Sequence, residues 1–466
     1  MRSRILLGAA LACCAASIAW GQAAASTFSA IDIEKPAPLV EFKNSRLTRI
    51  SGGVEITLRP ESPDAKPMLL AAEEILFTWP EEGGSTPSLI TLEQNVRVDS
   101  PQGLITSARA EVALAKNLLT FSGNVRGKSD QISDFEAEKI VYDLGTGDSE
   151  MVGLRATGIN LSSAPEGGAP GASNFSRMDI DRAASVQFGG GQVKSMDGGV
   201  AITLHPSDGK SKALKMSAST VGFAWSANGQ PSVIKMRNAV RVDGPQGDIR
   251  SDLADFDLAK KVLEFKNNVQ GATEQIESFR TDTLTYNMDS GETTMTNLTA
   301  QGLQIQTAQT EKPEEEGQSF SRMDIENAPE VSMAAGKLNW IRGGVNIIMH
   351  ASKPDVEPLN LRAQELTFAY PEGATSPERV LLKDKVSVDG QTTDIRSDAA
   401  DLNMASNKLT FTGNVTGERP GLTGLTAQQI VYDLRTGNIK MEGARAKEVD
   451  RDALGPEKAA ETPPNS

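Results

Sequence analysis

The sequence predicts an all-β protein of stacked short strands with one apolar face turned inward. Three observations predict it. Apolar and polar residues alternate in short runs along most of the chain, and period-2 alternation assigns one set to each face of a strand. No stretch beyond the amino terminus sustains the i, i+3, i+4, i+7 stripe of an amphipathic helix. The same ordered set of runs also returns three times within 466 residues, the mark of a repeat architecture.

The amino terminus is read apart from the fold. Arg2 and Arg4 precede an apolar stretch, Ile5 to Trp20, shorter than the ~18 residues a membrane span requires. Gly21, Ala23 and Ala25 supply small-x-small sites. Residues 1–25 therefore read as a secretory signal peptide, cleaved near residue 23 or 25. The alternatives are an uncleaved anchor, or lipidation at Cys13 or Cys14, for which Ala10-Leu11-Ala12-Cys13 is a poor match. Cys13 and Cys14 are the only cysteines. Cleavage leaves none, which excludes a disulfide scaffold and Cys-based zinc or iron–sulfur centres.

The three copies are marked by five landmarks in constant order. Phe28-Ser29-Ala30-Ile31-Asp32-Ile33 returns at Phe175 to Ile180 and at Phe320 to Ile325, 147 and 145 residues on. Gly52-Gly53-Val54 matches Gly198-Gly199-Val200 and Gly343-Gly344-Val345. Val96 to Asp99 matches Val240 to Asp243 and Val386 to Asp389. Phe121-Ser122-Gly123-Asn124-Val125 matches Phe265 to Val269 and Phe411 to Val415. Tyr142-Asp143-Leu144 matches Tyr286-Asn287-Met288 and Tyr432-Asp433-Leu434. The expected domains are 26–161, 175–306 and 320–449. They are joined by linkers at 162–174 and 307–319, rich in Ser, Ala, Pro, Gly or Glu, and followed by a disordered tail at 450–466.

Within each copy the strands follow from local alternation. Val54, Ile56 and Leu58 alternate with Glu55 and Thr57. Ile75, Phe77 and Trp79 form the next run, matched by Val221, Phe223 and Trp225 and by Leu366, Phe368 and Tyr370. Leu119 and Phe121, Leu263 and Phe265, and Leu409 and Phe411 flank Thr120, Glu264 and Thr410. Gly-Asn, Asp-Gly and Thr-Gly pairs read as turns between runs, and Asp99, Asp243 and Asp389 as turn residues after their strands. About fourteen short strands per copy, stacked two to a layer at ~4.8 Å, form a folded sheet or solenoid ~35 Å long, and three copies end to end exceed ~100 Å.

The string Lys408-Leu409-Thr410-Phe411-Thr412-Gly413-Asn414-Val415 resembles the OstA/LptA-like family of periplasmic lipopolysaccharide-transport domains. So do Ile430-Val431-Tyr432-Asp433-Leu434-Arg435-Thr436-Gly437, Ile395 to Ala400 and Met441-Glu442-Gly443. The first copy shares the pattern through Phe121 to Val125 and Ile140 to Gly147. The second departs at Asn267 and at Tyr286-Asn287-Met288. The resemblance implies three β-taco, or open β-jellyroll, domains in an elongated stack. It implies a periplasmic location and an apolar groove carrying the acyl chains of lipopolysaccharide or a related glycolipid. It also implies inner- and outer-membrane transport components paired to the end strands, with head-to-tail self-association between chains. Three fused copies, without a long carboxy-terminal barrel, depart from the usual members.

Twenty inward residues are candidates for the groove. They are Ile56, Leu58, Phe77, Trp79, Val98 and Phe121; Ile202, Leu204, Phe223, Trp225, Val242, Leu263 and Phe265; and Ile347, Met349, Phe368, Tyr370, Val388, Leu409 and Phe411. Each either packs a core or lines a channel, because alternation alone does not separate the two. Burying an acyl chain gains about 0.8 kcal/mol per CH₂.

Other chemistry finds little support. Lys plus Arg is 47 against 61 Asp plus Glu, a net charge of −14, which disfavours nucleic acid as a partner. It also means that a phosphorylated lipid would be held chiefly by its tails. His205 and His350 are the only histidines; each reads as a solvated strand-end residue, and one per copy is too few for a metal site. Ser251-Asp252 and Ser397-Asp398 lack a recurring base for a hydrolytic triad. No cofactor or enzymatic activity is expected. The carrier is the favoured function. A β-solenoid that supports envelope assembly or adhesion without binding lipid is the alternative.

Overall fold

The computed structural model describes residues 28–33, 39–60, 67–81, 87–100, 103–129, 132–143, 146–161, 175–190, 192–227, 231–244, 247–304, 320–351, 357–374, 376–390, 393–419, 422–434 and 436–449. The expected signal peptide with both cysteines, the two expected linkers and the expected tail lie outside the described residues. The chain divides into two compact units, 1–245 with 253–260, and 246–252 with 261–466.

Both units are all-β. Unit 1 holds β1 (Phe28–Ile33), β2 (Leu39–Lys43), β3 (Arg46–Pro60), β4 (Met68–Thr78), β5 (Leu89–Ser100), β6 (Gly103–Ala113), β7 (Leu118–Ser129), β8 (Asp134–Asp143), β9 (Ser149–Asn160), β10 (Phe175–Gly189), β11 (Gln192–Pro206), β12 (Leu214–Trp225) and β13 (Pro231–Gly244). The boundary between the units falls inside β14 (Gly247–Asp257). Unit 2 holds β15 (Val262–Ala272), β16 (Ser278–Asn287), β17 (Glu292–Gln304), β18 (Phe320–Ala334), β19 (Lys337–Ala351), β20 (Leu359–Ala369), β21 (Arg379–Gly390), β22 (Thr393–Asn403), β23 (Lys408–Arg419), β24 (Leu422–Asp433), β25 (Ile439–Glu442) and β26 (Glu448–Val449). From β3 to β13, and again from β15 to β24, each strand pairs antiparallel with the next. The sheet is open and does not close into a barrel.

The strands are fewer and longer than the alternation predicts, because each bends at a corner in its middle. In β5, β7, β11, β13, β15, β19, β21 and β23 two consecutive residues adopt positive φ. Examples are Gln94-Asn95, Gly123-Asn124, Gly198-Gly199 and Gly413-Asn414. Across each corner two residues face one. Glu93 pairs Arg109 and Val96 pairs Ser107, leaving Gln94 and Asn95 opposite Ala108. This is a bulge that turns the strand sharply. Asn is common there because its short side chain tolerates the left-handed region. The pairs Gly123-Asn124 and Gly413-Asn414, read above as turns between strands, therefore lie inside β7 and β23, a correction to that expectation, whereas Gly437-Asn438 does lie in the turn between β24 and β25.

The corner also changes the apolar spacing. In β5 and β7 the inward residues are Ile90, Leu92, Val96, Val98 and Leu119, Phe121, Val125, with four residues across the corner. In β4, β6 and β8 they are Leu70, Ala72, Ile75, Phe77; Ile105, Ser107, Ala110, Val112; and Phe135, Ala137, Ile140, Tyr142, with three across the corner. Local alternation sees a break at each corner and divides one bent strand into two. Both arms of a strand face the same interior, where Phe175 of β10 meets Phe256 of β14 edge to face at 5.9 Å.

True turns recur at the Tyr-Asp-Leu landmark. Gly147 N–H donates to Asp143 O at 2.9 Å and Thr146 N–H to Asp143 Oδ1 at 3.0 Å. Asp433 accepts the same pair from Gly437 and Thr436. Asn287 serves in the second copy, accepting from Gly291 and Ser290; an Asn side-chain oxygen replaces the carboxylate as acceptor. Asp99, Asp243 and Asp389 are not turn residues, since all three are paired within β5, β13 and β21. Each is satisfied by a neighbouring cation instead: Arg97 at 2.8 Å, Lys212 at 2.7 Å and Arg362 at 3.5 Å. The hydrogen bond from Lys212 holds the Asp243 carboxyl below its ordinary pKa.

Gly198 and Gly222 provide a matched test of the corner. At Gly198, with φ +80°, an added Cβ would lie 2.4 Å from Ala184 Cβ, whereas at Gly222 it meets nothing within 4 Å. Gly198→Ala is expected to destabilise by about 2–4 kcal/mol through backbone strain and overpacking. Gly222→Ala should be neutral or stabilising by up to about 1 kcal/mol. Chemical denaturation midpoints of the two variants check this; equal midpoints would remove the corner's steric basis.

Candidate functional site

The candidate groove residues are placed by the corners. In unit 1, Ile56, Phe77, Val98, Phe121, Ile202, Leu204 and Val242 are buried, Trp79, Phe223 and Trp225 are half-buried, and the side chain of Leu58 lies outside the described residues. In unit 2, Leu263, Phe265, Ile347, Met349, Phe368, Val388, Leu409 and Phe411 are buried and Tyr370 is half-buried. The structure thus brings the candidates of each unit to one inner face, where they cover one another as a packed core. Residues from the intervening strands share that face, among them Val112, Ile140, Leu284 and Leu402. Alternation across the shorter corner hid these from the sequence reading.

The three matched aromatics sit at the rim, at or just past the ends of β4, β12 and β20, and latch one strand end to its neighbour. Trp79 Nε1 donates to Leu47 O at 2.8 Å and Trp225 Nε1 to Val193 O at 2.6 Å. Leu338, at the aligned position, hydrogen-bonds through its backbone to Tyr370, whose phenol burial pushes up to about 12. Cations cover two of the rings, Arg46 at 5.3 Å from the Trp79 centroid and Lys337 Nζ at 5.5 Å from that of Tyr370. A buried ring with a bonded polar tip is the arrangement expected of an amphipathic aromatic at a core edge.

The two histidines are not simply solvated. His205 Nε2 lies 2.7 Å from Asp179 Oδ2, and His350 Nε2 lies 2.8 Å from Asp324 Oδ2. Gly158 N–H and Gly302 N–H donate to the other oxygen of the same carboxylates, each at 2.8 Å. Each Asp therefore stitches three strands where one copy meets the next: β9, β10 and β11 in unit 1, and β17, β18 and β19 in unit 2. Ser251 and Ser397 are buried inside strands, and Asp252 and Asp398 accept the corner amides of Asn268 and Asn414 at 2.6 and 2.7 Å.

At the sheet edges, where partner pairing is expected, sequence reading did not name the residues left exposed. Along its length β2 pairs only with β3 among the described residues, although the aligned segments of β10 and β18 are paired on both sides. Val40 is 43 % exposed where Val186 is 0 % and Val331 1 %; Phe42 is 58 % exposed where Phe188 is 4 % and Met333 5 %. At the other end β25 and β26 pair only with β24 among the described residues, and Val449 is exposed. Their aligned strands, β9 and β17, pair with the first strand of the following copy. The two edges thus carry the two halves of a ladder already formed twice within the chain. Aligning the copies residue by residue would have exposed the signal.

No family model matches the chain, and no curated protein matches it.

Packing of the core is testable at one pair of neighbours. Phe265 is completely buried and Glu264 faces outward, ion-paired to Lys266 at 2.8 Å. Phe265→Ala is expected to cost about 3–5 kcal/mol through lost burial and a cavity, and Glu264→Ala less than about 1 kcal/mol. Comparable losses from both in denaturant titration would contradict the inward assignment.

Proposed function

We propose that the protein is a periplasmic carrier or bridge for lipopolysaccharide or a related glycolipid, holding acyl chains against its apolar inner face on the way to the outer membrane. The observation that carries the reading is an apolar interior enclosed by a sheet that is bent but not closed. In a barrel, widening the interior breaks backbone hydrogen bonds; in an open sheet the two arms part without loss of any ladder bond. The apolar contacts given up are remade with acyl chains, at about 25 cal/mol per Å². The OstA/LptA-like sequence pattern agrees with this reading. A structural β scaffold is the second reading, favoured by the close burial of the candidate residues. Edge pairing belongs to the bridge: an unpaired strand with exposed apolar side chains is a template for β-augmentation. In the register of the internal joints, Val40 would meet Met441 and Glu41 would meet Lys440 of a second copy.

Photo-crosslinking separates carrier from scaffold. A photoreactive residue at half-buried Phe223 is expected to capture glycolipid during expression in an envelope-bearing host, and one at outward Glu264 is not. Absent or equal labelling at the two positions leaves only the scaffold. For the bridge, the chain is expected to assemble with rising concentration in sedimentation velocity, and Val40→Lys with Phe42→Lys to abolish assembly while preserving the circular dichroism spectrum. Assembly that persists in that variant excludes β2 as the docking edge.

A further inference from the structure

The outer face of unit 2 carries a concavity that neither the core nor the edges use. It is open to solvent, has a volume of about 430 Å³ and is lined by Arg362, Lys385, Ser387, Arg396, Asp398 and Asn414, among others. Arg362 of β20 pairs Ser387 of β21, and Ser387 pairs Arg396 of β22. The three therefore form one row across adjacent strands. Their chain neighbours Leu361, Val388 and Ile395 are buried, so alternation turns the whole row outward. The two arginine stems stand two strand spacings apart, roughly 10 Å, with a small hydroxyl residue between them. Lys385 stands at the left-handed corner of β21, φ 51°.

The charges are only partly met from within. Lys385 and Arg396 form no ion pair among the described residues, and the pair from Arg362 to Asp389 Oδ2 is long, at 3.5 Å. Of the nearby acids, Asp389 accepts the Ser387 hydroxyl at 3.1 Å and Asp398 the Asn414 amide at 2.7 Å, and Asp394, paired with Asp389 across the strands, is exposed. Three cations thus share one recess on a chain whose net charge is −14. The aligned residues are Ala71, Arg97 and Thr106 in the first copy and Ser217, Arg241 and Arg250 in the second, so only the third copy places Arg at both outer positions of these three strands. The copies share their inward residues but not this outward set, so the fold itself does not require it.

We propose that this recess is a binding site for a phosphomonoester, clamped between the guanidinium groups of Arg362 and Arg396, with Lys385 closing one side. Guanidinium forks match phosphate oxygens in pairs, and three cations suit a dianion better than a carboxylate. The phosphate is carried either by a free small molecule or by a lipid headgroup. The proposal does not rest on the carrier reading, because none of its residues faces the interior.

Two binding arms on the full chain test the site and its source. Inorganic phosphate is titrated calorimetrically at constant ionic strength, and cosedimentation is measured with phosphatidylcholine vesicles containing or lacking phosphatidic acid. The exposed arginines are replaced together, Arg362→Gln with Arg396→Gln, and Arg97→Gln with Arg126→Gln in unit 1 serves as a charge-matched control. Saturable phosphate binding that weakens about tenfold or more in the double variant, and not in the control, supports the site with a free ligand. Binding only to phosphatidic acid vesicles, with the same loss, supports it with a headgroup. No saturable binding in either arm, binding unchanged by Arg362→Gln with Arg396→Gln, or equal loss in the unit 1 control overturns it.

Discussion

The structure depends on one backbone constraint, the left-handed corner that bends alternate strands without interrupting their ladders. A straight antiparallel sheet has two separate faces and encloses nothing. A sheet bent along a row of corners turns one face onto itself, and that face becomes a core. The left-handed region costs L-residues about 1–2 kcal/mol each, which explains why Gly and Asn fill so many of the corner positions. The corner amides do further work: Asn268 and Asn414 each donate to an aspartate on the neighbouring strand. The offset of two residues against one matters equally, because inward side chains then stand four residues apart across the corner on the bulged strand and three apart on its partner, which keeps both arms on one face.

Everything inside follows from that bend. Residues as far apart in sequence as Phe175 and Phe256 meet because the arms face each other. Among the described residues the interior contains Phe, Ile, Leu, Val and Met almost without polar interruption, with Ser and Thr as the buried exceptions. The chain has no cysteine beyond Cys14, so apolar burial and ladder hydrogen bonds carry the stability. The polar contacts are confined to the margins: Trp79 and Trp225 latch the rim, and Asp179 and Asp324 tie three strands at the joints between copies.

A repeat that stacks by edge pairing leaves its end strands without the neighbour that every internal strand possesses. Val40 and Phe42 keep the apolar character of Val186 and Phe188 although nothing within the described residues covers them. Their cost in exposed apolar surface is understandable if the ends are joints, and it connects the architecture to the proposed bridge. The outward row at Arg362, Ser387 and Arg396 is the opposite case, a departure from the repeat that core packing does not explain.

The fold class, the three copies and the inward identity of residues such as Phe121, Phe265 and Phe411 were legible in the sequence, because period-2 alternation and self-similarity are local properties. The turns at Thr146-Gly147 and Thr436-Gly437 were legible for the same reason. What only the tertiary structure decided was which breaks in the alternation are turns and which are corners. Gly123-Asn124 and Thr146-Gly147 look alike as dipeptides, yet one bends a strand and the other ends it, and the difference lies in the pairing partners across the sheet. Burial against exposure at Val40 and Phe42 was decided in the same way. The side chains match those of the inner copies, and only the presence or absence of a neighbouring strand sets whether water reaches them.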